Sequence, residues 1–403
     1  MKRSVFLTVP LVLAAAAAKA GTPAKVGVLL PLSGNAAAAG QAAKAAVELA
    51  VEIAGTSHPE LRGLAGVNAA QIDAVYADHR GDPSQAQSDA LRLITKEKVS
   101  ALLGAYQSSC TFAATAIAER YGIPFVVGDS VASDITGRGF KMIFRLTPVA
   151  SNFADTYMRF FVDMRSLGIE VRSLAIVNEN TDYGTSVGDS LEAAAKTYGF
   201  AVATRIPYSA GAADVTPQVL QLKAKRPDTV VCISYSADSI LYMKTLKKVG
   251  YLPPMIIGDD SGFSDPSFIP AVGSIAQGVM NRSAWSIGKL NSNTYEINQM
   301  YRAKTGRDLD DTSARDMEAM LALADAIGRA GSDQPAKIQA SLRATNLRPD
   351  QLMIGYRGVR FDSTGQNELA STYLTQLQGN DYRAVWPRSS AVTALQWPMR
   401  GWS

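Results

Sequence analysis

Cysteine and histidine are scarce in this chain, which has two residues of each type among 403. Cys110 and Cys232 are too few for a disulfide framework, and we expect two buried thiols. His58 and His79 lie in unrelated loops, and no cysteine or histidine spacing matches a metal site. The sequence therefore predicts no metal, no cofactor and no histidine-dependent catalysis.

Charge is also sparse, because charged residues make up 19% of the chain and apolar residues 47%. This balance is typical of a globular protein with ample core. The formal net charge is +4, but Lys2, Arg3 and Lys19 lie in a predicted leader, so the remaining chain is near +1. No block of lysine and arginine alternates with aromatic residues, and we expect no nucleic-acid partner.

The first twenty residues have the pattern of a cleavable secretory signal. Basic residues at the start precede an apolar run from Val5 to Ala18, and small residues at Ala18 and Ala20 predict a cut after Ala20. The apolar run is shorter than the ~20 residues of a membrane span, and no cysteine at the cut indicates a lipid anchor. We therefore expect an exported protein that does not span a membrane.

Strand and helix patterns alternate along the chain, which predicts an α/β fold of parallel sheets flanked by helices. The 383 residues after the signal favour two domains. A first predicted strand ends near Leu30, and others cover Ala69–Ala77, Val99–Leu103, Pro124–Val127, Ser173–Val177, Ala201–Ile206, Thr229–Ile233, Pro254–Ile257, Ser371–Leu377 and Tyr382–Trp386. Predicted helices cover Ala36–Ala54, Pro83–Lys98, Thr111–Tyr121, Phe153–Leu167, Ser186–Tyr198, Thr294–Thr305, Ser313–Ala330 and Pro335–Ala344, and one more ends at Val249.

Polar loops follow the predicted strands, where ligands bind in open α/β sheets. They contribute hydroxyls, aromatic rings and carboxylates but no pairing of a base with a nucleophile, which favours a binding cleft over a reaction centre. The residues are Ser33-Gly34, Tyr106-Gln107-Ser108-Ser109, Asp129-Ser130, Asp182-Tyr183, Tyr235-Ser236 and Asp259-Asp260.

Several segments together resemble the type I periplasmic binding proteins that serve branched-chain amino acid ABC transporters. The segments are Val26-Gly-Val-Leu-Leu-Pro-Leu-Ser-Gly34, Leu103-Gly-Ala-Tyr-Gln-Ser-Ser109, Gly122-Ile-Pro-Phe-Val-Val127, Phe144-Arg-Leu-Thr-Pro148, Asp182-Tyr-Gly184 and Phe361-Asp-Ser-Thr-Gly365. The resemblance covers essentially the whole chain after the signal. It implies two Rossmann-like lobes that close on a ligand, joined by crossings near Pro148, Met280–Ser283 and Val359–Phe361.

The resemblance also implies the limits of the two lobes. Residues 1–20 are the signal peptide, residues 21–148 and 282–360 form lobe 1, and residues 149–281 and 361–403 form lobe 2.

By this resemblance, Ser108 and Ser109 hold the carboxylate of the ligand, and the neighbouring Gln107 is also expected to contact the ligand. Both serines precede the predicted helix at Thr111, where hydroxyls, free N–H groups and the helix dipole favour an anion. The alternative is that Ser109 only caps the helix.

The resemblance assigns the ammonium group of an amino acid to Asp260, with Asp259 as the register alternative. A desolvated carboxylate paired with an ammonium is a strong contact, although Asp-Asp-Ser-Gly is also ordinary turn chemistry. Tyr183 and Tyr235 match aromatic positions that flank the ligand from lobe 2, and Tyr106 faces it from lobe 1.

Three departures from the family pattern argue against leucine, isoleucine or valine as the ligand. Ala39 stands where the family often has an aromatic ring, and Val131 replaces a common threonine beside Ser130. Asp129 adds a carboxylate, which favours a cationic or hydroxyl-rich solute. Relatives bind other amino acids, amides, urea or aromatic acids.

The resemblance therefore implies a monomeric periplasmic solute-binding protein that delivers a small-molecule ligand to an inner-membrane ABC permease. A ligand sensor of the same fold is the second hypothesis. An exported hydrolase is the third and is disfavoured, because Ser108 and Ser109 have no histidine base in the predicted cleft loops.

Overall fold

The computed structural model describes residues 23–399, which form two mainly parallel β-sheets flanked by helices and so confirm the predicted α/β class. The predicted signal peptide lies outside the described residues, and its cleavage stays a prediction. Within residues 23–399, no helix combines the length and apolar character needed to cross a bilayer.

The first part of the chain forms a five-stranded sheet in which every neighbouring pair of strands is parallel. Its first strand reads Ala-Lys-Val-Gly-Val-Leu-Leu and is almost fully buried, as expected of a strand with helices on both faces. The elements are β1 (Ala24–Leu30), β2 (Ile72–Asp78), β3 (Ala101–Gly104), β4 (Phe125–Val127), β5 (Ile143–Arg145), α1 (Ala37–Gly55), α2 (Pro83–Thr95), α3 (Ser108–Tyr121) and α4 (Asp134–Gly137). The strand order is β2-β1-β3-β4-β5.

The middle of the chain repeats the same alternation around a second sheet. The elements are α5 (Ala150–Ser166), α6 (Asp182–Tyr198), α7 (Thr216–Lys225), α8 (Ser236–Val249), α9 (Ser261–Ser264), α10 (Phe268–Val272), β6 (Ser173–Glu179), β7 (Ala201–Tyr208), β8 (Thr229–Ile233), β9 (Ile256–Gly258) and β10 (Met280–Ser283). We call this part lobe 2, and the first sheet with its helices lobe 1.

The chain then returns to lobe 1 before it ends in lobe 2. The remaining elements are α11 (Asn293–Thr305), α12 (Asp311–Ala330), α13 (Pro335–Arg343), β11 (Asn346–Leu347), β12 (Val359–Arg360), β13 (Tyr373–Gln378) and β14 (Asp381–Trp386). Helices α11 to α13 share one hydrophobic core with β1 and α1. The last two strands are antiparallel and extend the second sheet to the order β14-β13-β10-β9-β8-β6-β7.

The segment after β12 approaches β5 very closely. Gly365 has a φ of +86°, and a Cβ there would lie 1.9 Å from the carbonyl oxygen of Ile143. The N–H of Arg145 donates to the carbonyl of Gly365 at 2.8 Å. Only glycine fits this contact, which ties the third predicted crossing to lobe 1. The residue limits of the lobes remain predictions.

Several elements were not predicted, among them α7, which buries only Val219 and Leu222, and β5, which has three residues. The short elements α4, α9, α10 and β11 were not predicted either. The predicted start of α6 at Ser186 was wrong, since the helix begins at Asp182. Tyr183 therefore lies on the first turn of a helix and not on a loop.

Both cysteines are buried and free, as predicted. Burial raises the pKa of Cys110 and of Cys232 to about 12, so both thiols stay protonated at neutral pH.

Glu318 on α12 gives stability a specific pH dependence. Its carboxylate accepts the N–H of Met353 at 2.9 Å, and burial raises its pKa from 4.5 to about 8. The folded protein thus keeps a proton that the unfolded chain loses near pH 4.5. The contribution of Glu318 to the free energy of unfolding is fully present below pH 4.5 and is lost as the pH rises to about 8.

We predict that Glu318→Gln flattens the decline in the free energy of unfolding between pH 5 and 8, by up to ~1.4 kcal/mol per pH unit. Urea titrations at pH 5, 6.5 and 8 measure this slope. Glu170→Gln, at an exposed position, is the control and should leave the slope unchanged. If the free energy of unfolding fell equally steeply with pH in wild type and in Glu318→Gln, the raised pKa of Glu318 would be contradicted.

Candidate binding cleft

The carboxyl ends of strands from both sheets meet at one cleft. Loops after β1, β2 and β3 of lobe 1 face loops after β6, β7 and β8 of lobe 2, and two cavities lie between the lobes. We call them the inner and the outer cavity. Their position is the one expected for a ligand site in open α/β sheets.

The inner cavity is small, with a volume of about 10 Å³, close to the space that one water molecule requires. Seven of the ten residues predicted for the site line it. Its wall consists of Tyr106, Ser108, Asp129, Ser130, Val131, Tyr183, Asp260, Ser261 and Arg282.

The inner hydroxyl groups are already engaged with the protein. Ser108 Oγ accepts the N–H of Ala132 at 3.3 Å. Ser130 Oγ donates to the carbonyl of Tyr106 at 2.8 Å and lies 2.6 Å from Thr111 Oγ1. These contacts connect the loops after β3 and β4 and fix the wall of the cavity in lobe 1.

Asp260 pairs with two arginines that the sequence analysis did not identify. Arg282 on β10 places Nη2 3.2 Å from Asp260 and Nε 3.3 Å from Asp259. Arg315 on α12 contacts the carboxylates of Asp260 and of Asp129. The guanidinium of Arg315 thus bridges Asp129 of lobe 1 and Asp260 of lobe 2, where an ammonium group was expected.

Arg315 remains charged in this buried position. Burial disfavours the cation, but nearby carboxylates, Asp129 first, raise its pKa above the ordinary value. Its Nε lies 3.1 Å from Asp311, and its Nη1 donates to Thr147 Oγ1 at 3.0 Å. Burial raises the pKa of Asp129, an effect that the charges of Arg315 and Arg282 oppose.

Asp316, the neighbour of Arg315, has no hydrogen-bond partner for its carboxylate within residues 23–399. It packs on Gly128, where a Cβ would lie 2.4 Å from Asp316 Oδ1. Burial and the charge of Asp129 raise the pKa of Asp316 well above the ordinary value.

Three tyrosines separate the inner cavity from the outer one. The ring of Tyr235 lies 5.8 Å from that of Tyr106 and 5.3 Å from that of Tyr183. Tyr106 OH is 3.1 Å from Ser261 Oγ across the cleft, and Tyr183 OH donates to Asp259. Ala39 packs with Tyr106 in a small apolar cluster.

The outer cavity has a volume of about 280 Å³, in the size range of a small solute. Three predicted residues, Gln107, Ser109 and Tyr235, line it. The complete lining is Gly34, Asn35, Ala36, Arg80, Gly81, Gln107, Ser109, Thr181, Ala210, Gly211, Tyr235, Ala237 and Asp238.

Gln107, not Ser109, is the N-cap of α3. The helix begins at Ser108, three residues earlier than predicted, so the alternative of Ser109 as the cap is wrong. Both serines lie in the first turn, with Ser108 beside the inner cavity and Ser109 beside the outer one.

Four of the eight non-glycine residues with positive φ in the described chain line one of the two cavities. They are Arg80 (57°), Tyr106 (67°), Asp260 (56°) and Ser261 (34°). Such conformations cost about 1–3 kcal/mol each and occur preferentially at functional sites. They support a functional role for this cleft.

No sequence motif marks Arg282 or Arg315, because their partners lie in distant segments. One signal was present in the sequence, namely four charged residues close together at the start of α12: Asp311, Arg315, Asp316 and Glu318. The structure shows that the first eight residues of this helix are all buried. Charged residues are rarely fully buried without a partner, and such a group indicates buried ion pairs.

Comparisons with known proteins agree with this architecture. A family model described as "Periplasmic binding protein" matches residues 23–381. The chain is 29% identical over 381 residues to Leu/Ile/Val-binding protein homolog 8 of Brucella abortus, an alignment that covers 92% of each protein.

Two solved structures show the same fold. The leucine binding protein LivK from Thermotoga maritima has a TM-score of 0.76 and 23% identity, covering 90% of this chain and 98% of that one. A solute binding protein of an ABC transporter from R. palustris, in complex with benzoate, has a TM-score of 0.76 and 18% identity, covering 93% and 98%.

The Arg315 bridge predicts a large stability effect. Arg315→Met leaves Asp129 and Asp260 buried without their shared cation, and we expect a loss of about 3–5 kcal/mol in the free energy of unfolding, measured with urea. Adding Asp260→Asn should recover part of the loss.

Arg302→Met is the matched control, since Arg302 pairs with Asp308 at 3.3 Å on the surface. It should cost less than about 1 kcal/mol. Equal costs for the two arginine variants would show that the buried bridge does not stabilise the fold.

Proposed function

The chain belongs to the periplasmic binding protein family, and we propose that it is the solute-binding protein of an ABC transporter, which captures an amino acid or a similar small polar solute. The outer cavity of about 280 Å³ carries the proposal, because three loops of each lobe line it. A solute there contacts both lobes at once, and these contacts favour the closed arrangement.

The proposal places the protein in the periplasm as a monomer, exported by the predicted signal peptide. It delivers its solute to an inner-membrane permease. Its similarity to a Leu/Ile/Val-binding protein homolog and to a solute binding protein of an ABC transporter supports this role.

The cleft is proposed to bind without chemical turnover. Neither histidine lines the two cavities: His58 lies 2.9 Å from Glu60, and His79 is fully buried behind the loop of Arg80. Burial lowers the pKa of His79 to about 4. The serines Ser108 and Ser109 therefore have no histidine base to activate them.

A carboxylic acid without an ammonium group is a second candidate solute. The observation that favours it is the Arg315 bridge, which occupies the position between Asp129 and Asp260 where the resemblance placed an ammonium group. A ligand ammonium would have to displace this guanidinium to reach either carboxylate. The similar structure with bound benzoate shows that an acid of this kind is taken by the same fold.

Thermal unfolding against a panel of solutes tests the proposal. The protein is first unfolded and refolded to remove bound ligand, then heated with amino acids, amides, urea, polyamines or aromatic carboxylates. A solute at a hundred times its dissociation constant stabilises the fold by ~2.7 kcal/mol, and we expect a clear rise in Tm for at least one class.

Turnover of a stabilising amide or ester would contradict the proposal, as would the absence of a shift across the panel. A shift confined to acids without an ammonium would select the second candidate.

A further inference from the structure

One ion pair of the cleft joins residues that belong to different lobes. Helix α12 shares its hydrophobic core with β1 and α1, and its residue Asp316 packs against Gly128 at the end of β4, so Arg315 belongs to lobe 1. Asp260 follows β9 of the second sheet and belongs to lobe 2. The pair of Arg315 with Asp260 therefore exists only while the two lobes are close together.

Arg315 also has partners within its own lobe. Its guanidinium pairs with Asp129 after β4, and its Nε lies 3.1 Å from Asp311 at the start of α12. Its Nη1 donates to Thr147 Oγ1, just after β5, at 3.0 Å. An opening of the cleft would therefore leave this cation paired.

Asp260 likewise has partners within lobe 2. Arg282 Nη2 on β10 lies 3.2 Å from its carboxylate, and Ser264 Oγ donates to Asp260 Oδ1 at 2.5 Å. The backbone N–H of Asp260 donates to Asn281 Oδ1 at 2.8 Å. Lobe 2 thus holds this carboxylate in place through contacts of its own.

The energetics of this pair differ from those of an ordinary buried ion pair. Breaking a buried pair is usually costly because a charge is left buried without a partner. Here each charge keeps an opposite charge in its own lobe, Asp129 for Arg315 and Arg282 for Asp260. The contact between the lobes can therefore form and break without leaving an unpaired charge, which is the property of a reversible latch.

Two hydroxyl contacts between the lobes accompany the ion pair. Tyr106 OH lies 3.1 Å from Ser261 Oγ beside the inner cavity. The N–H of Ser133, between β4 and α4, donates to Ser186 Oγ on α6 at 3.0 Å. All three contacts join one protein group to another, so they need no group of a solute to form.

Three of the residues that touch across the cleft have strained backbones. The φ angles are +67° at Tyr106, +56° at Asp260 and +34° at Ser261. Such conformations cost about 1–3 kcal/mol each and persist where the surrounding structure determines them. Their place at the contact between the lobes supports a functional role for that contact.

We propose that Arg315 and Asp260 form a latch between the lobes, which closes the cleft without a cation from the solute. The cation between Asp129 and Asp260 is then part of the protein itself, and a solute in the outer cavity adds to a closure that the chain already favours. The inference rests on a relative motion of the lobes, which the proposed function also requires.

Small-angle X-ray scattering of solute-stripped protein tests the latch, because it measures how compact the molecule is. Asp260→Asn removes the charge at nearly constant volume, and asparagine tolerates a positive φ as aspartate does. We expect this variant to open the cleft and to raise the radius of gyration by ~1 Å above the ~21 Å of a compact chain of this length.

Asp308→Asn is the matched control, because Asp308 pairs with Arg302 at 3.3 Å on the surface. It removes the same charge and should keep the radius of gyration of the wild type. Circular dichroism of each variant shows whether it remains folded.

Arg315→Ala gives a second test through chemical rescue. The variant leaves Asp129 and Asp260 without the guanidinium between them, and ethylguanidinium at millimolar concentration is the probe for that space. We expect the probe to lower the radius of gyration towards that of the wild type and to raise Tm, whereas the same concentration of sodium chloride should do neither. Asp308→Asn should not respond to the probe.

Equal radii of gyration for solute-stripped wild type and Asp260→Asn would overturn the latch. An equal rise in Asp308→Asn would also overturn it, as would an Arg315→Ala protein whose radius of gyration and Tm do not respond to ethylguanidinium. None of these measurements uses a solute, so their failure leaves the proposed solute-binding function to the panel of solutes that tests it.

Discussion

The contact on which the cleft depends is the bridge from Arg315 to the carboxylates of Asp129 and Asp260. It joins α12 to a loop of each lobe in a region without solvent contact. Because two buried carboxylates need a cation, the bridge favours the lobes in close approach. It also determines which part of the cleft is left for a solute, since it fills the position where the family resemblance placed an ammonium group.

The two cavities lie on either side of the three tyrosines Tyr106, Tyr183 and Tyr235. On their inner side, the carboxylates pair with arginines, the serine hydroxyls form hydrogen bonds with the protein, and a volume of only about 10 Å³ remains. On their outer side, the N-termini of α1, α3, α6 and α8 line a cavity of about 280 Å³.

Much of the fold could be predicted because its signals are local. Apolar runs such as Thr229–Ile233 and the Asp82-Pro83 helix start follow from neighbouring residues. Most of the loops that form the cleft were also predicted, since they follow those strands, but the loops after β2 and β7 were not. The role of Arg315 could not be predicted, because its partners Asp129 and Asp260 lie 186 and 55 residues away in sequence. The division of the predicted residues between two cavities depends on that same contact.

A crystal structure of the protein with its tightest solute shows whether the Arg315 bridge persists when the cleft is occupied. We expect that Arg315 still bridges Asp129 and Asp260, and that the solute lies in the outer cavity. A solute seated between the two aspartates, with the guanidinium of Arg315 displaced, would contradict this expectation.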